Sequence, residues 1–222
     1  MAEILRDDRP HLLRLTDEPL TLPPEVAALA AENWERRLAE QPALFDGPTL
    51  VAAPGTDART LEVPVARSCY SHYLAVSDGV LPSEWCHRHV WAGVLVRAAD
   101  GACLHGRMSD TTKRPGHWQL PGGAIDLDDV DGDRIDPADC ARRELLEEVG
   151  LDLGAIGDPP LVPWAVADRP NGNIGYLYEV RTGLEQGQVE EIFAAHLRAE
   201  EAAGRAPEFT AIRWVAPGQE WV

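Results

Sequence analysis

Three glutamates, Glu144, Glu147 and Glu148, follow Arg143 in the stretch "RRELLEEVGL". At about 100° per residue they gather on one side of a helix. Like charges three and four apart each cost a few tenths of a kcal/mol, and a carboxylate in the last turn opposes the helix dipole by roughly 0.3–1 kcal/mol more. Arg143 and Glu147 make an i,i+4 pair in the less favourable order and offset only part of this. Clustered carboxylate oxygens are hard ligands, suited to Mg²⁺ or Mn²⁺ ions that keep waters and share phosphate oxygens. The competing reading is a solvated acidic face. Against it stands the pair Gly122-Gly123 in "LPGG", where backbone without Cβ lets a phosphate or a metal-bound ligand approach closely. Carboxylate cluster and glycine turn together point to phosphoryl chemistry.

These residues need a helix and a strand to hold them. Asp136, Pro137 and Asp139 form a helix start, with Asp at the cap, Pro at the first helical position and a carboxylate in the positive first turn. Gly150 supplies the stop. Within that span Ala138, Ala141, Leu145 and Val149 make the apolar stripe. "GHWQLPGGAI" reads as a strand running into the glycine pair. Around it, "HVWAGVLVRAA" and "ACLHGRMS" read as strands joined by the hairpin signal Asp100-Gly101. "LVPWAVAD" and "NIGYLYEVRT" are strands separated by the turn-forming "RPNGN". A helix from about Val189 to Ala203 then precedes a last strand, "EFTAIRWVAP". Alternating strands and helices predict an α/β layered domain over 86–222.

Residues 1–85 have a different texture and predict a helical and strand segment. "PEVAALAAENWERRLAE" follows a helical period, with Val26, Leu29, Ala30, Trp34 and Leu38 on related faces. Pro42, Gly47, Pro48, Pro54 and Gly55 then break it. "TLEVPVARSCY" reads as an edge strand, because Pro64 removes a ladder donor.

Composition limits the partners. A net charge of −17 argues against gripping a nucleic-acid backbone, which relies on Lys and Arg releasing counterions. No window approaches the ~18 apolar residues of a membrane span, and the start carries no basic flank before an apolar run, so a cytoplasmic protein without a membrane partner is expected. Cys69, Cys86, Cys103 and Cys140 form no C-x-x-C pair and read as free, buried thiols.

"LPGGAI…RRELLEEVGL" resembles the signature of the Nudix hydrolases: Gly, five residues, Glu, seven residues, then Arg-Glu-aliphatic-any-Glu-Glu-any-Gly-aliphatic. Gly123, Arg143, Glu144, Leu145, Glu147, Glu148, Gly150 and Leu151 match. The mid-pattern Glu is absent, and Gly123 to Arg143 spans six residues more than the pattern. The extra stretch, "DLDDVDGDRID", is expected to bulge out as a solvated acidic loop, with Asp126, Asp128 or Asp129 as stand-ins for the missing Glu. What the resemblance implies is a Nudix-type α/β/α sandwich with a mixed sheet, preceded by an N-terminal α+β segment. It further implies a Mg²⁺-dependent pyrophosphohydrolase, with Mn²⁺ as the alternative ion, acting on a small nucleotide: a nucleoside diphosphate linked to another group. Glu144, Glu147 and Glu148 would hold the metal, Arg143 would orient a glutamate, and Gly122 and Gly123 would form the substrate-phosphate turn. One of the glutamates, or a further carboxylate, would act as base. Glu208, ahead of Trp214, is the candidate, with Glu190 and Glu191 behind it; the other reading of Glu208 is a strand-end surface charge.

"WERRLAEQPALFDGPTL" followed by "SCYSHYLA", taken as a tyrosine-containing strand, is similar to the leader of the UDP-sugar-cleaving branch of that family, which would make UMP and a sugar 1-phosphate the products. A ligand-sensing regulatory module on the same fold is the alternative function. An isoprenoid diphosphate isomerase is a third, but Cys103 and Cys140 have no evident acid partner. Weaker signals are Cys86 and His89 in "CHRH" as metal ligands, Trp118, Trp164, Tyr176 and Tyr178 as base-stacking residues, and Lys113, Arg114 and His117 as phosphate contacts. Each also reads as ordinary packing or solvated surface. The sequence leaves open a homodimer.

Overall fold

The computed structural model describes residues 3–112, 114–169 and 172–219. In chain order the elements are β1 (Glu3–Arg6), β2 (Leu12–Leu15), α1 (Pro24–Glu40), β3 (Pro48–Ala52), β4 (Glu62–Cys69), α2 (Tyr70–Ser77), β5 (Arg88–Arg97), β6 (Cys103–Met108), β7 (Trp118–Gln119) and β8 (Gly122–Ala124). There follow β9 (Val130–Asp131), β10 (Arg134–Ile135), α3 (Pro137–Val149), β11 (Val162–Asp168), β12 (Asn173–Arg181), α4 (Gln186–Ala202) and β13 (Phe209–Val215). The fold is mixed α/β. Among the described residues no helix is long and apolar enough to cross a membrane.

The chain divides into two compact units. The first draws on Met1–Trp91, Ala124–Pro137 and Ala165–Tyr176. Its strands run in the order β1-β11-β12-β5-β3-β4-β2-β10-β9. β2 and β4 pair parallel while β3 and β4 pair antiparallel, so the sheet is mixed. β4 therefore lies inside the sheet rather than at its edge, contrary to the expectation from Pro64. The reason is register. Leu61 and Val65 accept hydrogen bonds from Leu12 and Thr16 on the β2 side, so by alternation Pro64 faces β3, whose ladder has already ended at Ala52 opposite Val65. The missing donor falls where no partner waits.

Other corrections fall in the same unit. Tyr70–Ser77 is a helix, not a strand: its His72, Leu74, Ala75 and Val76 are all buried, and Asp46 Oδ1 accepts the Ser71 N–H at 2.7 Å at its start. α1 buries Val26, Ala30 and Asn33, whereas Leu29 is 40% exposed. Asn33 is buried because its Nδ2 donates to Asp78 Oδ2 at 3.1 Å, next to Arg37 Nε at 2.7 Å on the same oxygen. The acidic stretch 126–136 is only partly a loop. It folds into a short turn and the β9–β10 hairpin, and β10 pairs with β2 through Arg134 opposite Arg14 and Ile135 opposite Leu13. Arg14 Nη1 bonds Asp133 at 3.0 Å, while the buried Ile135 contributes apolar area.

The second unit draws on Ala92–Gly123, Ala138–Trp164 and Leu177–Val222. In it β6 pairs with β5, β7 and β13, and β8 pairs with β5. The hairpin signal at Asp100-Gly101 is realised: Arg97 faces Cys103 across β5 and β6, and Asp100 Oδ1 accepts the Ala102 N–H at 3.0 Å. Cys140, Ala141, Leu145 and Val149 of α3 are fully buried, whereas Ala138 of the expected stripe is half-buried. α4 begins at Gln186, a turn earlier than expected, because Glu185 and Gln188 form a capping box. All four cysteines are free; Cys103 and Cys140 are buried, while Cys69 and Cys86 are only half-buried.

Candidate active site

Every residue of the site lies in the second unit. The Pro121 carbonyl accepts the Val94 N–H at 2.9 Å and fixes the chain as it enters β8. Gly122 then adopts φ +150°, and a Cβ there would collide with the Ala92 carbonyl. Its N–H donates to Glu148 Oε2 at 2.7 Å. A Cβ on Gly123 would fall 2.5 Å from both the carboxylate carbon and Oε1 of Glu144. The glycine pair thus lets two carboxylates from α3 lie directly against the backbone of β8, which no other residue type allows.

α3 consequently presents its glutamates unequally. Glu144 is 8% exposed and Glu148 2%, both sunk beside the fully buried Leu145 and Val149. The Glu147 side chain stays 57% exposed. Burial is the main reason the Glu144 carboxyl is pushed up to about 7, with the Glu147 and Glu208 charges adding to the rise and Arg143 opposing it. Glu148 is held well above the ordinary carboxylate range, first by burial, then by Glu208 and Glu144, against the pull of the Gly122 N–H. Arg143 bridges the set: Nη1 donates to Glu144 Oε1 at 2.8 Å and to Glu147 Oε2 at 3.1 Å.

Glu208 joins this cluster from the start of β13, where its carbonyl accepts the Ser109 N–H at 2.8 Å. The residue as a whole is exposed, yet its carboxyl is raised by loss of surrounding water and by the Glu147 charge. Its charge is felt by Glu144 and Glu148 as well, which places Glu208 in the electrostatic reach of the cluster.

The cluster suits a divalent cation on three grounds. Glu148 Oε1 is buried and has no hydrogen-bond partner. Gly122 and Gly123 bring the Glu148 and Glu144 carboxylates together against the β8 backbone. Four carboxylates face one guanidinium, and buried carboxylates without a counter-charge are costly. Among the described residues the side chains as they stand do not bring three His, Cys, Asp or Glu into ligating range of one point. Arg143 holds two of the glutamates in its own hydrogen bonds instead.

The remaining candidates fall elsewhere. Asp126 Oδ1 accepts the Asp128 N–H at 2.8 Å and Asp129 Oδ2 accepts the Asp126 N–H at 3.1 Å, so these carboxylates cap their own turn. Glu190 Oε1 accepts the Trp214 indole N–H at 3.0 Å, and Glu191 is exposed. In "CHRH", Cys86 Sγ points at the Leu81 and Pro82 carbonyls and His87 Nδ1 meets the Trp85 carbonyl at 3.2 Å. Tyr176 and Tyr178 are buried in the core; Trp118 and Trp164 are half-buried. Arg114 and His117 are exposed, and Lys113 lies outside the described residues. One feature escaped sequence reasoning. A cleft of about 770 Å³ opens beside Glu147, walled by Leu146 of α3 and by Ile192, Ala195 and His196 of α4. α4 carries no motif that would have announced it.

Comparison with known proteins identifies the family. Residues 87–220 match the NUDIX domain family. An RNA pyrophosphohydrolase of Gluconacetobacter diazotrophicus is 32% identical over 134 residues, covering 55% of this chain and 74% of that protein. The m7GpppN-mRNA hydrolase NUDT17 of Danio rerio is 39% identical over 97 residues, covering 41% of this chain and 30% of that protein. A solved structure of a bifunctional NMN adenylyltransferase/ADP ribose pyrophosphatase from Francisella tularensis, complexed with AMP and a Mn ion, shares 17% identity at a TM-score of 0.39, covering 59% of this chain and 34% of that one. The chain belongs to the Nudix family and is a hydrolase of diphosphate bonds.

Proposed function

We propose that the chain is a Mg²⁺-dependent pyrophosphohydrolase cleaving a nucleoside diphosphate linked to another group. The observation that carries this reading is the buried pair Glu144 and Glu148 laid against the Gly122-Gly123 turn, with Glu148 Oε1 unpartnered. Glu144, Glu147 and Glu148 would hold Mg²⁺, or Mn²⁺ in its place. Such an ion supplies neutralising charge at the phosphate oxygens. Glu208 takes the proton of the attacking water, a role supported by its desolvated carboxyl beside Glu147. Arg143 positions Glu144 and Glu147 through its two hydrogen bonds and does not touch substrate. Gly122 and Gly123, against which the glutamates are seated, would form the substrate-phosphate turn. We assign these roles to a hydrolase domain over 86–222, with 1–85 as a preceding segment, a division supported by the family match at 87–220. A cytoplasmic site of action belongs to the same reading, supported by four free thiols.

The nature of the attached group separates two substrate classes. The "LFDG" segment favours a UDP-sugar, although its companion Tyr70–Ser77 is helical. The names of the relatives favour an RNA 5′ end. The test is a chromatographic screen with Mg²⁺ over UDP-glucose, ADP-ribose, dinucleoside polyphosphates, deoxynucleoside triphosphates, and 5′-triphosphorylated and capped RNA. UMP from UDP-glucose supports the first class, and a shortened RNA 5′ end supports the second. Glu147→Gln is expected to abolish turnover with Tm unchanged, since Glu147 is exposed. Wild-type rates in that variant would overturn the site assignment. Binding without turnover across the whole panel would favour the regulatory-module alternative.

A further inference from the structure

On the second unit several exposed cations lie on neighbouring strands in a chain whose net charge is −17. Arg107 on β6 stands opposite Trp118 on β7 and opposite Ala211 on β13. Directly opposed residues share a face, and Arg213, two positions beyond Ala211, shares it too. The Arg213 guanidinium carbon sits over the Trp118 ring, 4.6 Å from its centre, a cation–π contact. Arg107, Arg114, His117 and Arg213 are all exposed, and Trp118 is half-buried. None of the three arginines makes an ion pair among the described residues, although acidic residues outnumber basic ones 37 to 20. Other arginines of the same unit do find carboxylates, among them Arg97 with Glu179 at 3.0 Å and Arg142 with Asp158 at 2.8 Å.

Two unpaired guanidiniums beside a half-buried indole, Arg213 over its ring and Arg107 opposite it in the strand register, have the chemistry of a nucleotide platform. A guanidinium held over tryptophan and the exposed part of the indole offer π surface to a base, while the neighbouring Arg107 meets phosphate. The chain segments involved also deliver the site: Trp118 leads into Gly122, and Arg213 lies on β13, which Glu208 immediately precedes. We propose that Arg107, Trp118 and Arg213 bind the base and a flanking phosphate of the substrate's nucleotide portion. Its catalytic purpose rests on the hydrolase reading above; its existence as a binding surface does not.

The test uses ligands without a diphosphate bond, in EDTA, so that binding is read apart from hydrolysis. Calorimetric titration with UMP, AMP and GMP, with a 5′-monophosphorylated hexaribonucleotide, and with base-free ribose 5-phosphate is expected to show binding of all but the last. Trp118→Leu and Arg213→Ala should each weaken mononucleotide binding about tenfold. Arg107→Ala should make the salt dependence of hexanucleotide binding shallower by about one counterion. Tighter, steeply salt-dependent binding of the hexanucleotide identifies an RNA end as the source; equal binding of UMP and hexanucleotide identifies a free nucleotide. No binding by the wild type, unchanged affinity in Arg213→Ala, or ribose 5-phosphate binding as well as UMP each overturns the proposal. Arg213 is exposed, so its variant decides the matter even where Trp118→Leu fails to fold. Glu147→Gln is expected to bind as wild type in EDTA. Absent turnover by the wild type over the whole substrate panel, with its mononucleotide binding intact, would remove the hydrolase reading alone.

Discussion

Replacing Glu144 by glutamine keeps an oxygen for Arg143 Nη1, keeps the volume packed against Gly123, and removes only the ability to ionise. In the folded chain that carboxyl is lifted from 4.5 to about 7, chiefly by burial. At about 1.36 kcal/mol per pH unit the difference is worth about 3 kcal/mol of stability. The folded state holds the proton more tightly than the unfolded chain does. This stability is therefore fully present below about pH 4.5 and is lost as pH rises to about 7. For a chain of 222 residues, ~2–4 °C in Tm accompanies each kcal/mol, so the loss is roughly 6–12 °C. Thermal unfolding followed by circular dichroism in EDTA should show the wild type losing that much more Tm than Glu144→Gln between about pH 4.5 and pH 8. Saturating Mg²⁺ should return stability to the wild type at the upper end, by about 2.7 kcal/mol at a hundred times Kd, and less to the variant. Parallel curves for the two proteins in EDTA would refute the assignment of a buried, proton-holding Glu144.

Gly123→Ala forces a methyl to within 2.5 Å of the Glu144 carboxylate, and overpacking of this kind costs about 1–3 kcal/mol. Scanning calorimetry should show a lower Tm together with lost turnover; a variant as stable and active as wild type would mean that Glu144 does not need this seat. Glu208→Gln should lower kcat by about 10²-fold or more and abolish the acid limb of its pH profile. In the wild type that limb lies above the ordinary glutamate range, because activity requires the deprotonated base and the Glu208 pKa is raised. An unchanged limb in the variant would assign the base elsewhere.

How much of this was legible depended on whether the cause was local. α3 was readable because its start, stop and carboxylate pattern all lie within Asp136–Gly150, and the Asp100-Gly101 hairpin because turn chemistry is local. Which glutamates are buried was not readable. That is decided by Gly122 and Gly123, which touch Glu148 and Glu144 only after β8 and α3 meet. α2 was misread for a related reason. A helix buried at four of its eight residues shows no amphipathic period, and "SCYSHYLA" then resembles a strand. Pro64 misled because the rule about proline concerns hydrogen-bonding sides, and the side depends on where β3 happens to stop. The family signature survived all of this, since its spacing within the helix is fixed by the helical repeat. What it did not reach was the Arg107, Trp118 and Arg213 face, whose residues lie on three strands far apart in sequence.

The β2–β10 ladder bears on how this molecule is made. β2 leaves the ribosome long before β10 is synthesised, so the acidic stretch that runs into α3 emerges to find its partner strand already waiting. A shortened protein that begins near residue 86 would be born without that rail. It would carry β10 as an unmatched ladder edge, a template for pairing with other chains. Solubility during expression, rather than catalysis, is where the loss of the first 85 residues would first be felt.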